Sequence, residues 1–466
     1  MSDSNQLFHK IAPVADELGE LFAARGHELA LVGGSVRDIL LGRIGNDLDL
    51  TTEARPERVL EIVKDWADSV WTIGIDFGTV GVRKGNWLLE ITTYRSESYD
   101  PKSRKPEVMY GETLEADLER RDFAINAMAV RLPDHEFVDP YGGVSDLTAR
   151  ALRTPGTPQQ SFDDDPLRML RAARFASQLG FAVAPEAFAA MTEMAERIEI
   201  VSAERIRDEL DKLVCGAYPR AGLKILVDTG LAAHVLPELP MLRLEIDEHH
   251  RHKDVYEHSL TVLDQAIAQE EDGKPDRILR WSALLHDVGK PKTRRHEPGG
   301  RVSFHHHELV GAQMTKKRMT ELRFPKDVVA DVARLVELHL RFHGYGTGEW
   351  TDSAVRRYVR DAGHLLDRLH KLTRADCTTR NKRKAAALSR TYDQLEERIA
   401  RLAEEEELAK IRPELDGNEI QEVLGVGPGP VVGKAYKFLL DLRLDQGVIG
   451  KDAARAALLK WAADQR

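Results

Sequence analysis

Residues 32–51 read VGGSVRDILLGRIGNDLDLT. Asp47, Leu48, Asp49 and Leu50 alternate polar with apolar, the pattern of a strand that sends successive side chains to opposite faces. Leu48 and Leu50 then face a core, and Asp47 and Asp49 share the other side. One reading of that side is bulk solvent. The other is chemistry: two carboxylates two residues apart on one face suit a shared pair of divalent cations, and two-metal clamps with ions ~3.5–4 Å apart serve phosphoryl and nucleotidyl transfer. Upstream, Gly33 and Gly34 allow a backbone turn that faces N–H groups toward a triphosphate, to which Ser35 adds a hydroxyl and Arg37 a charge. Either signal is weak alone. Together, with a short helical spacer, they are strong.

The chain of 466 residues exceeds one ordinary core, and ~150 residues per domain suggests about three domains. No apolar run approaches the ~20 residues needed to span a bilayer, and the N-terminus MSDSNQLFHKIA lacks a basic segment followed by an apolar one. The expectation is a cytoplasmic protein without membrane contact. Cys215 and Cys377 stand far apart, which indicates neither a disulfide framework nor a zinc knuckle. The net charge of −10 argues against indiscriminate polyanion binding, so local clusters matter more: Arg168, Arg171 and Arg174 at helical spacing, and TTRNKRK over 378–384. A solvated helix face is the plain alternative for each.

Short β-type segments (LALVGG, DLDLTT, SVWTIG, FGTVGVR, WLLEITTYR) alternate with helical stretches over the first ~150 residues. After Thr154-Pro155-Gly156-Thr157-Pro158 nearly everything reads as amphipathic helix. The class is α+β: a small mixed sheet with helices over 1–155, an all-α neck over 156–245, a histidine-dense all-α domain over 246–385 and a helical tail over 386–466. A third carboxylate for the pair is expected from a neighbouring strand. Glu90 lies between apolar positions in WLLEITTYR, where it is a cation ligand or an edge-strand glutamate in solvent.

VGGSVRDILLG with DLDLTT, then RRDFAINAMA (120–129), DPYGGVSDL (139–147), DDPLRMLRAARF (164–175) and VSAERIRDEL (201–210) fall in an order that resembles the class II CCA-adding tRNA nucleotidyltransferases and bacterial poly(A) polymerases. The resemblance spans roughly the first half of the chain. It implies a polymerase-β-like head with magnesium on Asp47 and Asp49, ribose and triphosphate contacts from Arg121, Asp122 and Asn126, and tRNA, CTP and ATP as partners. It also implies a protein template. Asp165, placed to cap a helix, and Arg168, three residues on, can both reach over the same helix end. A carboxylate accepts from an amino group and a guanidinium donates to a ring nitrogen or carbonyl, which matches cytosine and adenine and mismatches guanine and uracil. The family usually carries Glu-Asp where this chain has Asp164-Asp165, which leaves the role of Asp164 open.

The second constellation is His258, the doublet His286-Asp287, His307, His339 and Asp376. Helix neighbours point ~100° apart, so the doublet needs a local geometry that brings both to one ion. This set resembles the HD-domain phosphohydrolases over about 247–384. The resemblance implies a first metal on His258, His286, Asp287 and Asp376 and a second on His307 and His339. Imidazole with carboxylate favours Mn, Fe, Co, Ni or Zn, with Mg also open. The chemistry implied is attack of an activated water on a phosphate ester, plausible substrates being cyclic phosphates or phosphomonoesters at RNA ends, with Lys290 as a phosphate contact or a solvated loop residue.

The expected activity is template-independent addition of CCA to tRNA. A poly(A), C-only or A-only enzyme is the alternative, and a phosphohydrolase with a vestigial head is the alternative of another class. RNA is expected to be held by backbone contacts to Arg205, Arg207, Arg380, Lys382, Arg383 and Lys384. The segments DGNEI and GVGPGPVVG bend N–H groups toward phosphate or cap helices.

Overall fold

The quoted segment forms a strand, β2 (Asp47–Thr52), whose exposure alternates as its sequence does: Leu48 and Leu50 are 3% and 1% exposed, while Asp47 and Asp49 are open. It sits inside a seven-stranded mixed sheet with β1 (Leu29–Val32), β3 (Ser69–Trp71), β4 (Thr79–Lys84), β5 (Trp87–Thr93), and, after the hairpin β6 (Arg95–Ser98) and β7 (Glu107–Tyr110), β8 (Ala129–Leu132) and β9 (Glu136–Val138). The spatial order is β3-β4-β5-β2-β1-β8-β9. Only β2 and β5 run parallel within it, in register Asp49↔Glu90, and the remaining neighbours are antiparallel. Glu90 is therefore on an interior strand, and the edge-strand reading of it is set aside.

The computed structural model describes residues 2–43, 45–98, 107–111, 113–243, 254–271, 273–298, 302–342, 350–378, 381–406 and 412–464. It falls into two compact units, residues 1–240 and 241–466. In the first, Leu29, Leu31, Leu48, Leu50, Leu89 and Ile91 pack one sheet face against Leu18 and Phe22 of helix α1 (Ser2–Ala23), Val36 of α2 (Gly33–Leu40) and Val59 of α3 (Pro56–Val63). Ala30, Val32 and Ala129 pack with Leu114 and Leu118 of α4 (Leu114–Glu119) and with Tyr94. Past α5 (Gly143–Ala149) the unit is helical: α6 (Pro158–Asp164), α7 (Leu167–Leu179), α8 (Pro185–Glu193), α9 (Ala203–Val214), α10 (Pro219–Asp228) and α11 (Leu231–Val235). Two prolines place the breaks, Pro158 and Pro166, each at a helix start where a missing N–H costs nothing.

The second unit is helical in its main elements. Helices α12 (Val255–Ile267), α13 (Arg277–Leu285), α14 (Lys290–Thr293), α15 (His307–Glu321), α16 (Lys326–Leu338), α17 (Asp352–Ala362), α18 (Leu366–Asp376) and α19 (Lys382–Glu406) precede a bundle of α20 (Gly417–Leu424), α21 (Pro430–Gln446) and α22 (Lys451–Asp464). Leu415, Ile420, Ala435, Leu439, Ala454 and Leu458 make that bundle's own core. DGNEI is a capping box: Asp416 accepts from Asn418 and Glu419 while Glu419 accepts from the Asp416 amide. Among the described residues no helix is long and apolar enough to cross a membrane.

Candidate functional site

In the first unit a cleft of about 770 Å³ opens over the polar face of β2 and β5. Asp49 and Glu90 line it side by side through their register, and Asp47 lies one pleat outward, exposed. Desolvation by the surrounding cleft walls pushes the Asp49 carboxyl above its usual value although it keeps contact with water, opposed by Arg121 and Arg37 and reinforced by Asp47. Desolvation raises Glu90 too, with Asp49 and Asp47 adding to it. Asp49 and Glu90, both disfavoured in their ionised forms, with Asp47 beside them, are a donor set that a divalent cation would relieve.

Gly33 opens α2 directly from β1 with φ of +66°, a conformation that glycine adopts freely, and a Cβ there would lie 2.7 Å from Arg121 Nη1. A Cβ on Gly34 would lie 3.6 Å from Asp49 Oδ2, so the first turn of α2 rests against the carboxylate. Ser35 accepts from the Asp49 amide at 2.8 Å and so ties helix to strand; it is absent from the cleft lining. Arg37 donates to Asn126 Oδ1 at 2.7 Å, and Asn126 donates to Asp122 Oδ1 at 2.9 Å. Asn126 is thus held by side chains in a 3₁₀ turn. Burial raises Asp122, but Arg171, bound at 2.6 Å, and Asn126 more than reverse this and keep it ionised. Burial likewise opposes Asp117, which Arg121 and Arg120 hold below the usual range; it orients both guanidinium groups.

Asp165 and Arg168 both face this cleft. Asp165, which ends α6 while Pro166 takes the cap position of α7, accepts from the Leu167 amide through Oδ1 at 3.1 Å and from Arg205 through Oδ2 at 2.9 Å. Arg168 donates to Ser161 Oγ at 2.9 Å and to the Arg120 carbonyl. Both side chains are thus held in a fixed geometry by the protein itself. Asp164 lies outside the lining and accepts from Gln160 at 2.7 Å.

Sequence reasoning missed part of this wall. Arg171 and Arg174 are not a solvated face: they turn inward with Phe175, pairing with Asp122 and with Glu209 of α9 at 2.7 Å. Their spacing with Arg168 was the available signal. Arg95, Arg120 and Phe77 also line the cleft, and eight arginines face four carboxylates there. That local excess of four positive charges suits a triphosphate despite the overall −10. Arg205 belongs to the cleft, and Arg207 pairs with its neighbour Asp208 at 2.7 Å. Arg380 lies outside the described residues, as does the Lys382 side chain; Arg383 and Lys384 are exposed at the start of α19.

The second unit holds two adjoining groups of metal-type donors, His258 with His286 and Asp376, and Asp287 with His307 and His339. His286 caps α13 and Asp287 follows in the turn, so leaving the helix solves the problem of the doublet. Asp287 stands between the groups: Oδ2 is 3.2 Å from His286 Nε2 and 3.5 Å from His258 Nε2, and Oδ1 is 3.2 Å from His307 Nε2. Asp376 Oδ1 lies 3.0 Å from His258 Nε2. Nδ1 of His286, His307 and His339 each donates to the carbonyl three residues earlier, at 2.7–2.8 Å. All three therefore aim Nε2 at the centre, the orientation that metal-ligating histidines need. Gly289 enables the approach of α15, since a Cβ there would be 2.7 Å from the Gly311 amide.

Burial works against charge here. It lowers His286, yet Asp287 and Asp376 raise it on balance to about 9. Burial, helped by His286, pushes His339 down to about 3. Burial lifts Asp287 and Asp376, but the surrounding cations hold both well below the usual range. Lys290 Nζ lies 2.8 Å from Asp287 Oδ2, an oxygen that receives no well-aligned hydrogen bond. A neutral His339, a carboxylate oxygen of Asp287 that receives no well-aligned hydrogen bond, and a His286 proton held in place by carboxylates that a cation could replace together fit a divalent ion.

Comparison with known proteins matches residues 29–153 to the "Poly A polymerase head domain", 180–242 to the "Probable RNA and SrmB- binding site of polymerase A" and 255–403 to the "HD domain". An A-adding tRNA nucleotidyltransferase of Deinococcus radiodurans is 34% identical over 441 residues, 93% of this chain and 95% of that one. A CCA-adding enzyme of Levilactobacillus brevis is 44% identical over 57% of this chain and 61% of that protein, so the match spans under two thirds of its length. The fold is similar to the Bacillus stearothermophilus CCA-adding enzyme in complex with CTP, with TM-score 0.69, 24% identity and 98% of each chain covered. A Thermotoga maritima CCA-adding enzyme complexed with tRNA aligns with TM-score 0.60 and 20% identity, over 97% of this chain and 96% of that one.

Proposed function

Because the chain belongs to the class II tRNA nucleotidyltransferase family, with a poly(A) polymerase type head and an HD domain, we propose that it adds C, C and A to the 3′ end of tRNA from CTP and ATP. The observation that carries this is the Asp49–Glu90 pair on adjacent strands, flanked by arginines for the triphosphate and by Asp165 with Arg168 for the base. Magnesium on Asp47, Asp49 and Glu90 would neutralise phosphate charge and favour ionisation of the RNA 3′-hydroxyl. The 3′-oxygen bonds to the α-phosphorus as the bond to the β-phosphate bridge breaks; pyrophosphate leaves and the hydroxyl proton passes to water in the cleft. Gly33 and Gly34 offer backbone N–H groups to the triphosphate, and Arg37 and Arg121 offer charge. Asn126, held by Asp122, positions Arg37, Asp117 positions Arg121, and Asp122 and Asn126 are the further contacts proposed for ribose and triphosphate.

Incubating the protein with tRNA lacking CCA, tRNA ending in C-C and a generic RNA, with CTP and ATP singly and together, tests this reading. Addition of three nucleotides only to the first substrate, and only with both triphosphates, is the expected result; no incorporation into any would overturn it. A second reading, A-only addition, is favoured by the end-to-end match with the Deinococcus protein. It predicts extension of the C-C substrate alone.

The HD cluster is proposed to hold a divalent ion, Mn, Fe, Co, Ni, Zn or Mg, on His258, His286, Asp287 and Asp376, and a second on His307 and His339. Its substrates are phosphate esters at RNA ends. The four-part division at 155, 245 and 385, a cytoplasmic location, and an RNA path over Arg205, Arg207 and residues 378–384 complete the proposal.

A further inference from the structure

Beyond the polar face of β2 and β5, the same face of the sheet continues onto β4 and β3. Cross-strand partners share a face, so the row Asp49, Glu90, Gly81, Trp71 runs outward from the carboxylates. Gly81 is buried because the Trp71 indole covers it: a Cβ there would run into ring atoms Cε2 and Nε1. Trp71 itself stays half-exposed, and its indole N–H has no protein acceptor among the described residues. Apolar side chains are open to water on this side as well: Phe77, between β3 and β4 in the chain and on the cleft rim, at 53% exposure, and Leu88, in the next row of the face, at 41%. Arg83, paired with Leu88 in the next row of this face, is exposed and has no anionic partner among the described residues.

We propose that this surface, centred on Trp71 with Phe77 and Arg83, is the platform on which the 3′-terminal base of the RNA stacks. The proposal rests on the nucleotidyl-transfer reading and adds the seat of the acceptor strand. An in-line displacement puts the attacking and leaving oxygens on opposite sides of phosphorus. The groups for the leaving pyrophosphate, Gly33, Gly34 and Arg37, follow β1, on one side of β2; β5, β4 and β3 lie on the other. The RNA end therefore approaches over β5. The ring above Gly81 is one strand spacing, roughly 5 Å, from Glu90's strand, within reach of the base whose own 3′-oxygen attacks. Aromatic stacking accepts any base, which suits an end that changes with every addition, and Arg83 is free for a backbone phosphate.

Trp71→Leu keeps apolar bulk and loses the π face; Trp71→Phe keeps an aromatic. Steady-state kinetics with tRNA ending in C-C and ATP should show a rise of KM for tRNA of roughly 5- to 100-fold in the leucine variant. KM for ATP should stay within about twofold, and phenylalanine should restore most of the loss, with thermal melting used to certify the fold of each variant. An unchanged KM for tRNA in folded Trp71→Leu overturns the platform and leaves the transferase reading standing. Independently of turnover, a short oligoribonucleotide ending in C-C should quench fluorescence of the parent more than of Trp71→Phe. Equal quenching counts against the platform. A difference in a protein that incorporates nothing upholds the platform and sinks the transferase reading instead.

Discussion

The two carboxylate centres are built on opposite plans. In the first unit Asp47, Asp49 and Glu90 come from strands, are open to water and stand among arginines. In the second, His286, Asp287 and His339 are at most 1% exposed, and ring orientation is locked by carbonyls one helical turn back. The first plan suits ions that arrive with a polyanion and leave with its product. The second suits an ion that stays, because ligands already desolvated and oriented lose little more freedom on binding. Exposure of the donors, more than their identity, separates a cation shared with substrate from one resident in the protein.

Removing the open carboxylates tests that contrast most severely. The double variant Asp47→Asn, Asp49→Asn should lose about 10³-fold or more in nucleotide incorporation, measured by extension of tRNA, while metal bound in the second unit stays unchanged by elemental analysis. Loss of both together would break the separation. Conversely, Asp287→Ala should abolish retained metal after gel filtration and hydrolysis of a cyclic phosphate at an RNA end, with incorporation within about twofold of the parent. Retained metal in that variant would show that the buried cluster does not depend on its central carboxylate.

Asp165→Ala with Arg168→Ala should relax the preference for CTP and ATP over GTP and UTP by about 10²-fold, read from competing incorporation rates. An enzyme with the parental preference would exclude these residues as template. Glu209→Gln breaks a pair in which both partners are nearly buried. It should cost about 3 kcal/mol in denaturant unfolding and weaken nucleotide selection through Arg174, which stacks on Phe175. Smallest is a titration. Because desolvation within the cleft raises both Asp49 and Glu90, with Asp47 adding to each, carboxyl resonances should show both protonating above their ordinary values as pH falls in protein freed of divalent cations. Magnesium should move both titrations to lower pH, since it favours the ionised form.

The local arrangement was readable from residues alone wherever spacing carries direction. Alternation placed Leu48 and Leu50 inward and the aspartates outward, the prolines marked helix starts, and the order of motifs indicated the family. Spacing could not show that Arg171 and Arg174 turn inward, because an arginine at helical period looks the same facing water or facing Asp122 and Glu209. Nor could it reveal Gly81 beneath Trp71, since a glycine inside a strand does not announce what lies over it.

What the sequence determined by itself was which face each side chain takes, since the strand and helix periods follow from backbone sterics within a few residues. Tertiary structure alone decided which faces meet: Glu90 beside Asp49 across a parallel pairing 41 residues apart, and Asp287 shared between two histidine groups. Those meetings depend on burial summed over whole cores, and no local stretch of chain contains that sum.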